Sequence, residues 1–295
     1  MRPMTILLSL IMTAFACAVA AQPTPDLFWF RFEETSGTSS TNQGTLAGSN
    51  FGGFTVTTAG LFTNGTTAAT PNRIQPGAVG TGAVNLSGQS VWLDTGLPGT
   101  TLNTGSFTVE CWINTGGVSQ EGNTIFSICT SSTLNLSLFV GSASNLLSME
   151  AFGGIVGSGT ATTVNDGNWH HVAVVYNRSS QTLTTYHNGV QEKQATSQNL
   201  TFVSGSNVVF FNGRTTSAFG NWSARADEVR MHSSVIAPAN FATTLAPVTP
   251  GSGSGGDDGG DDDKGCAANT TGGWAVLALL ALALFAVLRR ERRTA

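Results

Sequence analysis

Charge is scarce in this chain. Charged residues make up 10% of its 295 positions, 13 basic against 17 acidic. Residues 22–247 hold seven basic and eleven acidic side chains, so no basic surface for nucleic acid is available and that function class is excluded. The same stretch has no sustained 3.6-residue apolar period, which excludes a helical body. It also lacks any carboxylate pair at i, i+2 or i, i+4. Glu33-Glu34 and Asp227-Glu228 are adjacent and would point apart on strands, while Asp26, Asp94, Glu110, Glu121, Glu150, Asp166 and Glu192 stand alone. An acid and base on one strand, as sugar hydrolysis often uses, is therefore missing. Only acids brought together by tertiary structure would make the body an enzyme.

What is present is Thr, Ser, Asn, Gly, Val and Phe in short runs. Turn signals break them: TNG at 63–65, LSG at 86–88, HNG at 187–189 and FNG at 211–213. Short alternating runs at such spacing predict an all-β sandwich or jelly roll, and the length fits one large domain. Each end differs from this body. Arg2, an apolar run from Ile6 to Val19 and small residues before Gln22 have the layout of a secretory signal peptide, 1–21, cut near Ala20 or Ala21. An uncleaved anchor or a lipid-bearing Cys17 is the poorer reading. Residues 248–265 are a Gly/Ser/Asp-rich linker with too few apolar groups to offset chain entropy.

After Cys266 an apolar segment, about 272–288, leads to Arg289, Arg290, Arg292 and Arg293. That predicts one C-terminal transmembrane helix with the arginines on the cytoplasmic side. GGDDDKGC followed by WAVLALLALALFAVLRRERR resembles the bacterial MYXO-CTERM sorting signal. The resemblance implies processing or surface attachment at Cys266 by a sorting protease. A plain membrane anchor, with Cys266 incidental, is the alternative. Either way the body is expected outside the cell, at a bacterial surface.

NDGNWHHVAVVYN, residues 165–177, sets His170 beside His171. Residues 169–176 are apolar and β-branched between turn signals, hence a strand. Neighbouring side chains on a strand face opposite ways, so Trp169, His171, Ala173 and Val175 share one side and His170, Val172, Val174 and Tyr176 the other. The two histidines cannot hold one metal ion together. Asn188-Gly189 closes the next hairpin.

The unit NDGNWHHVAVVYNRSSQTLTTYHNGVQ resembles the LamG-like family of concanavalin A-like jelly rolls. So do FRFEETSGT (30–38), GAVNLSGQSVWLDTG (82–96), GSFTVECWINT (105–115) and ADEVRMHSSVIAPANF (226–241). The resemblance spans about 27–241 and implies a sandwich of two antiparallel sheets. Within it Trp169, His171, Asn188 and Gly189 form the structural motif, His171 being a buried ring tied to a neighbouring strand. The family's acidic positions on the opening and closing strands fall on Glu33 and Asp227, which the resemblance makes candidate calcium ligands. The alternative is that Asp227 caps a turn and Glu33 is solvated.

With Cys17 removed and Cys266 at the anchor, Cys111 and Cys129 remain in an oxidising compartment. If 107–114 and 124–129 form a hairpin that pairs Asn114 with Phe126, Cys111 lies opposite Cys129 within disulfide reach. Such a bond would stabilise by roughly 3 kcal/mol; two buried thiols are the alternative. Fold does not fix ligand. The expected function is a secreted, surface-anchored, non-catalytic binding module for a glycan or other extracellular polymer. Trp29, Trp92 and Trp222 are candidate sugar-stacking residues, a core position being the commoner fate for each. The alternatives are a surface spacer without a ligand and a carbohydrate-active enzyme.

Overall fold

Each of the four turn signals ends a strand or follows one directly, and in three of them a glycine supplies the left-handed backbone that tight turns require: Gly65, Gly88 and Gly189. The structure, a computed structural model, describes residues 22–242 apart from 66, 117–122, 142, 143, 145 and 214–223. The chain divides into two compact units, Met1–Gly251 and Ser252–Ala295. The leader 1–21, Trp222, the linker, Cys266, the 272–288 segment and the four arginines lie outside the described residues. Among the described residues no helix is long and apolar enough to cross a membrane.

The first strands are short: β1 (Phe28–Phe30), β2 (Ser39–Thr41), β3 (Asn50–Phe51), β4 (Phe54–Thr55), β5 (Ala59–Thr63), β6 (Asn72–Ile74), β7 (Ala83–Asn85) and β8 (Trp92–Pro98). Longer ones follow in β9 (Phe107–Asn114), β10 (Asn123–Cys129), β11 (Leu134–Val140), β12 (Leu146–Ala151) and β13 (Gly154–Thr163). The last are β14 (Trp169–Asn177), β15 (Thr182–His187), β16 (Val190–Ala195), β17 (Asn207–Phe210) and β18 (Arg225–His232). One sheet runs β16-β15-β14-β9-β18-β7-β6, with β1 also on β18; the other runs β13-β12-β11-β10-β17-β8-β5-β2. The pairings in both are antiparallel. This is the expected jelly-roll sandwich.

The core lies between the sheets. On β9, Phe107, Val109, Cys111 and Ile113 enter it, as do Val172, Val174 and Tyr176 on β14. Phe126, Phe210 and Leu93 meet them from the other sheet. The outer face of the first sheet is also covered, by residues 234–242. Phe241 packs on Ala173 and Val175, Thr108 Oγ1 donates to the Ser234 carbonyl (2.8 Å), and Ala242 N donates to Glu110 (2.9 Å). That cover explains why β9 is buried along almost its whole length.

The disulfide expectation is corrected here. Cys111 and Cys129 are both buried and not joined. Their strands are not a hairpin: both edges of β9 are taken, by β14 and β18, and both edges of β10, by β11 and β17. The chain crosses from one sheet to the other between them, so the proposed register has no free edge to form on. Trp92, offered as a sugar-stacking residue, is fully buried in the core.

Candidate functional site

The adjacent histidines separate as the strand alternation requires. His171 is fully buried. Its Nε2 lies 2.9 Å from Glu110 Oε2 on β9, and His232 Nε2 lies 3.4 Å from Glu110 Oε1. Burial alone would raise the Glu110 carboxyl, but hydrogen bonds from His171 and His232 hold it well below its ordinary value. Trp112 meets the His171 ring edge-on and Phe241 covers it. Asn188, at φ 48°, begins the Asn-Gly turn; its N–H donates to the His171 carbonyl (2.8 Å) and its Oδ1 accepts the His171 N–H (2.9 Å). His171 is thus a buried ring tied to β9 through Glu110 and to the Asn188 turn through its backbone.

His170 faces His187 across the β14–β15 hairpin, a pairing that sequence alternation does not reveal. Asn188 Oδ1 is committed to His171, so its Nδ2 points at His187 Nε2 (3.1 Å), which must accept. His170 Nε2 lies 2.8 Å from the acceptor Asp166 Oδ1, and its Nδ1 lies 2.8 Å from His187 Nε2. His187 Nε2 is thus shared between His170 Nδ1 and Asn188 Nδ2, and His170 Nε2 faces a carboxylate. The hydrogen bond from His170 accordingly holds the Asp166 carboxyl well below its usual value. Burial, then the His170 charge, lowers His187.

Glu33 and Asp227 meet one loop, residues 77–82. Asp227, fully buried, accepts Val79 N (2.9 Å) and Glu228 N (2.7 Å). Glu33 accepts Thr81 N (3.2 and 3.1 Å) and the Thr81 hydroxyl. A Cβ at Gly77 would strike the Gly82 carbonyl and Asp227, and one at Gly80 would strike Glu33. Glycine at both positions therefore lets the backbone press onto the two acids. Burial first, with the neighbouring Glu228 charge, pushes the Asp227 carboxyl up to about 8. Among the described residues no salt-bridge partner reaches it, and no group of three His, Cys, Asp or Glu side chains is placed to hold a metal.

Asp227 and Glu228 do not point apart. The β18 register shifts between Asp227 and Arg230, and Glu228 takes φ 49°. Such a bulge re-aims a side chain, and a non-glycine residue held there costs about 1–3 kcal/mol. Both carboxylates thereby reach the outer face of the first sheet. Glu228 accepts Trp29 Nε1 (2.7 Å), Arg31 Nε (3.0 Å), and Arg230 Nε (3.1 Å) and Nη2 (2.8 Å).

These groups line a cleft of about 310 Å³ with Gln22, Val79 and residues 23–25. Phe28 and Phe30 enter the core while Trp29 between them is half-buried and turned outward. Guanidinium carbons of Arg31 and Arg230 lie 5.5 and 4.9 Å from its ring centroid. Arg230 is buried and Arg31 is 33% exposed. The cleft thus offers an indole locked at its N–H, one accessible guanidinium, and a single lining carboxylate already occupied by four donors. Trp29 was legible as a candidate; the arginines and Glu228 were not, because the bulge brings them together.

No curated protein matches the chain in sequence. Among solved structures it is similar to domain 4 of AbnA, a GH43 extracellular arabinanase from Geobacillus stearothermophilus, in complex with arabinotriose. The TM-score is 0.53 at 17% identity, covering 76% of this chain and 100% of that one. It is also similar to the binding domain of botulinum neurotoxin DC in complex with rat synaptotagmin II, with TM-score 0.50, 11% identity and 75% of this chain; it spans about half, 52%, of that chain. At such identities the likeness is one of fold. Residues 87–240, more than half of the sequence, match the Laminin_G_3 family, and the chain belongs to this concanavalin A-like lectin/glucanases superfamily.

Proposed function

We propose that the protein is a non-catalytic glycan-binding module displayed outside a bacterial cell, and that the Trp29 cleft receives the sugar. The observation that carries this is the half-buried indole, fixed by Glu228 and flanked by Arg31 and Arg230. Sugars present an apolar face that stacks on an indole and hydroxyls that accept from a guanidinium. The cleft volume is within the range of small-ligand sites, roughly 300–1,000 Å³. One saturated carboxylate does not make the acid–base pair that glycoside hydrolysis needs. The arabinotriose held by an arabinanase domain of this fold supports a saccharide as the ligand class.

Calcium at Glu33 and Asp227 completes the reading. A divalent ion would supply the positive charge that buried Asp227 lacks and would brace loop 77–82, whose Val79 forms one wall of the cleft. Secretion through residues 1–21 and attachment through 266–295 supply the surface location.

The test is a glycan array probed with the full chain and with Trp29→Ala, each with and without calcium. Wild type is expected to bind at least one glycan class, and Trp29→Ala to lose that class at least tenfold. A surface spacer without a ligand binds nothing on the array, and that result would refute the reading.

A further inference from the structure

A second cleft, of about 420 Å³, lies on the other sheet, where Leu61 on β5 stands directly opposite Asp94 on β8. We propose that this cleft is a saccharide site of its own, taking a neutral sugar with Leu61 and Phe54 against its apolar face and Asp94 accepting from its hydroxyls. The proposal is independent of the Trp29 cleft.

Three observations carry it. A Cβ at Gly60 would strike Leu93 and Phe30 of the core, and Phe62 is fully buried, so Leu61 between them faces outward and is 44% exposed. Asp94 is the one charged residue lining the cleft, and it accepts Gly96 N at 2.8 Å. Among the described residues no salt bridge reaches it. The rest of the wall carries no charge: Thr55, Thr57, Ala59, Thr63, Thr95 and Gly96.

A carboxylate beside an apolar floor, with no cation, recognises a ligand that donates hydrogen bonds and carries no negative charge. A pyranose or furanose does both, with ring C–H groups on one side and hydroxyls at its edge. Hydrogen bonds to an ionised acceptor are the strong kind, about twice a neutral pair. Burial raises Asp94 above its ordinary value, so binding should strengthen with pH as the carboxyl ionises. Trp29 lies on the outer face of the first sheet and Leu61 on that of the second. One domain could therefore hold two polymer chains, one on each face of the sandwich.

Native gels cast with arabinan, xylan or β-1,3-glucan test this with the full chain. Retardation of wild type in at least one gel is expected. In that gel Asp94→Asn and Leu61→Ser should each weaken affinity at least tenfold in the Trp29→Ala background, and the pH dependence should vanish in Asp94→Asn. If Trp29→Ala alone changes nothing, the first cleft is wrong and the second still stands. Leu61→Ser removes no buried group, so its loss cannot be laid to misfolding. Retention within twofold by both variants in every gel, or no retardation of wild type in any gel, overturns the proposal.

Discussion

His171 and His170 differ by one position and by their surroundings. His171 shares a buried carboxylate with His232, so His171→Ala leaves Glu110 buried with one donor fewer. Losing a buried hydrogen bond to a charged group costs about 1.5–3 kcal/mol. His170→Ala frees Asp166, whose side chain is 43% exposed and rehydrates. Urea midpoints should fall further for His171→Ala, and equal shifts would contradict the assignment. Asp227 makes a pH prediction of opposite sign to the usual carboxylate. Its folded value, about 8, lies above the ordinary aspartate value of 3.8, so the folded state binds the extra proton between them and stability falls as pH rises from about 4 to 8. Calcium at this site should raise the melting temperature at pH 8 and flatten that decline. Asp227→Asn should remove both the decline and the calcium response.

At the level of elements, hairpins were legible and sheet assignment was not. The β14–β15–β16 meander follows directly from its turns: Asn177-Arg178-Ser179 and Asn188-Gly189 join strands that lie side by side. Strands β9 and β10 are also successive in sequence, yet they sit in different sheets. Alternation tells which side chains go inward, and inward is the same direction from either sheet. Pairing is decided instead by which edges distant strands occupy, here β14 and β18. The bulge at Glu228 escaped for a related reason: one left-handed residue leaves no periodic trace. The cysteines carry the consequence. Alkylation in denaturant without reductant, followed by peptide mass mapping, should find Cys111 and Cys129 both modified. In the native protein Cys111 should resist, because burial and then the Glu110 and Asp227 charges raise its thiol. A linked peptide pair would contradict the unjoined state of the two thiols.

For the whole molecule, the sequence resemblance over 27–241 anticipated the sandwich, while Glu33 and Asp227 each bond to loop 77–82 through different residues, Thr81 and Val79. The ligand clefts were not legible, since each is assembled from strands far apart in sequence: β1 with β18, and β5 with β8. The ends make their own prediction. Removing residues 273–295 should release the domain into the medium, read by blotting cell and medium fractions; retention on cells would contradict the anchor. The most direct test of glycan binding is a crystal structure of the protein with a bound oligosaccharide chosen from the array. A sugar ring stacked on Trp29 with a hydroxyl within hydrogen-bond reach of Arg31 is the predicted result. An ordered oligosaccharide elsewhere, with the Trp29 cleft empty, would contradict it.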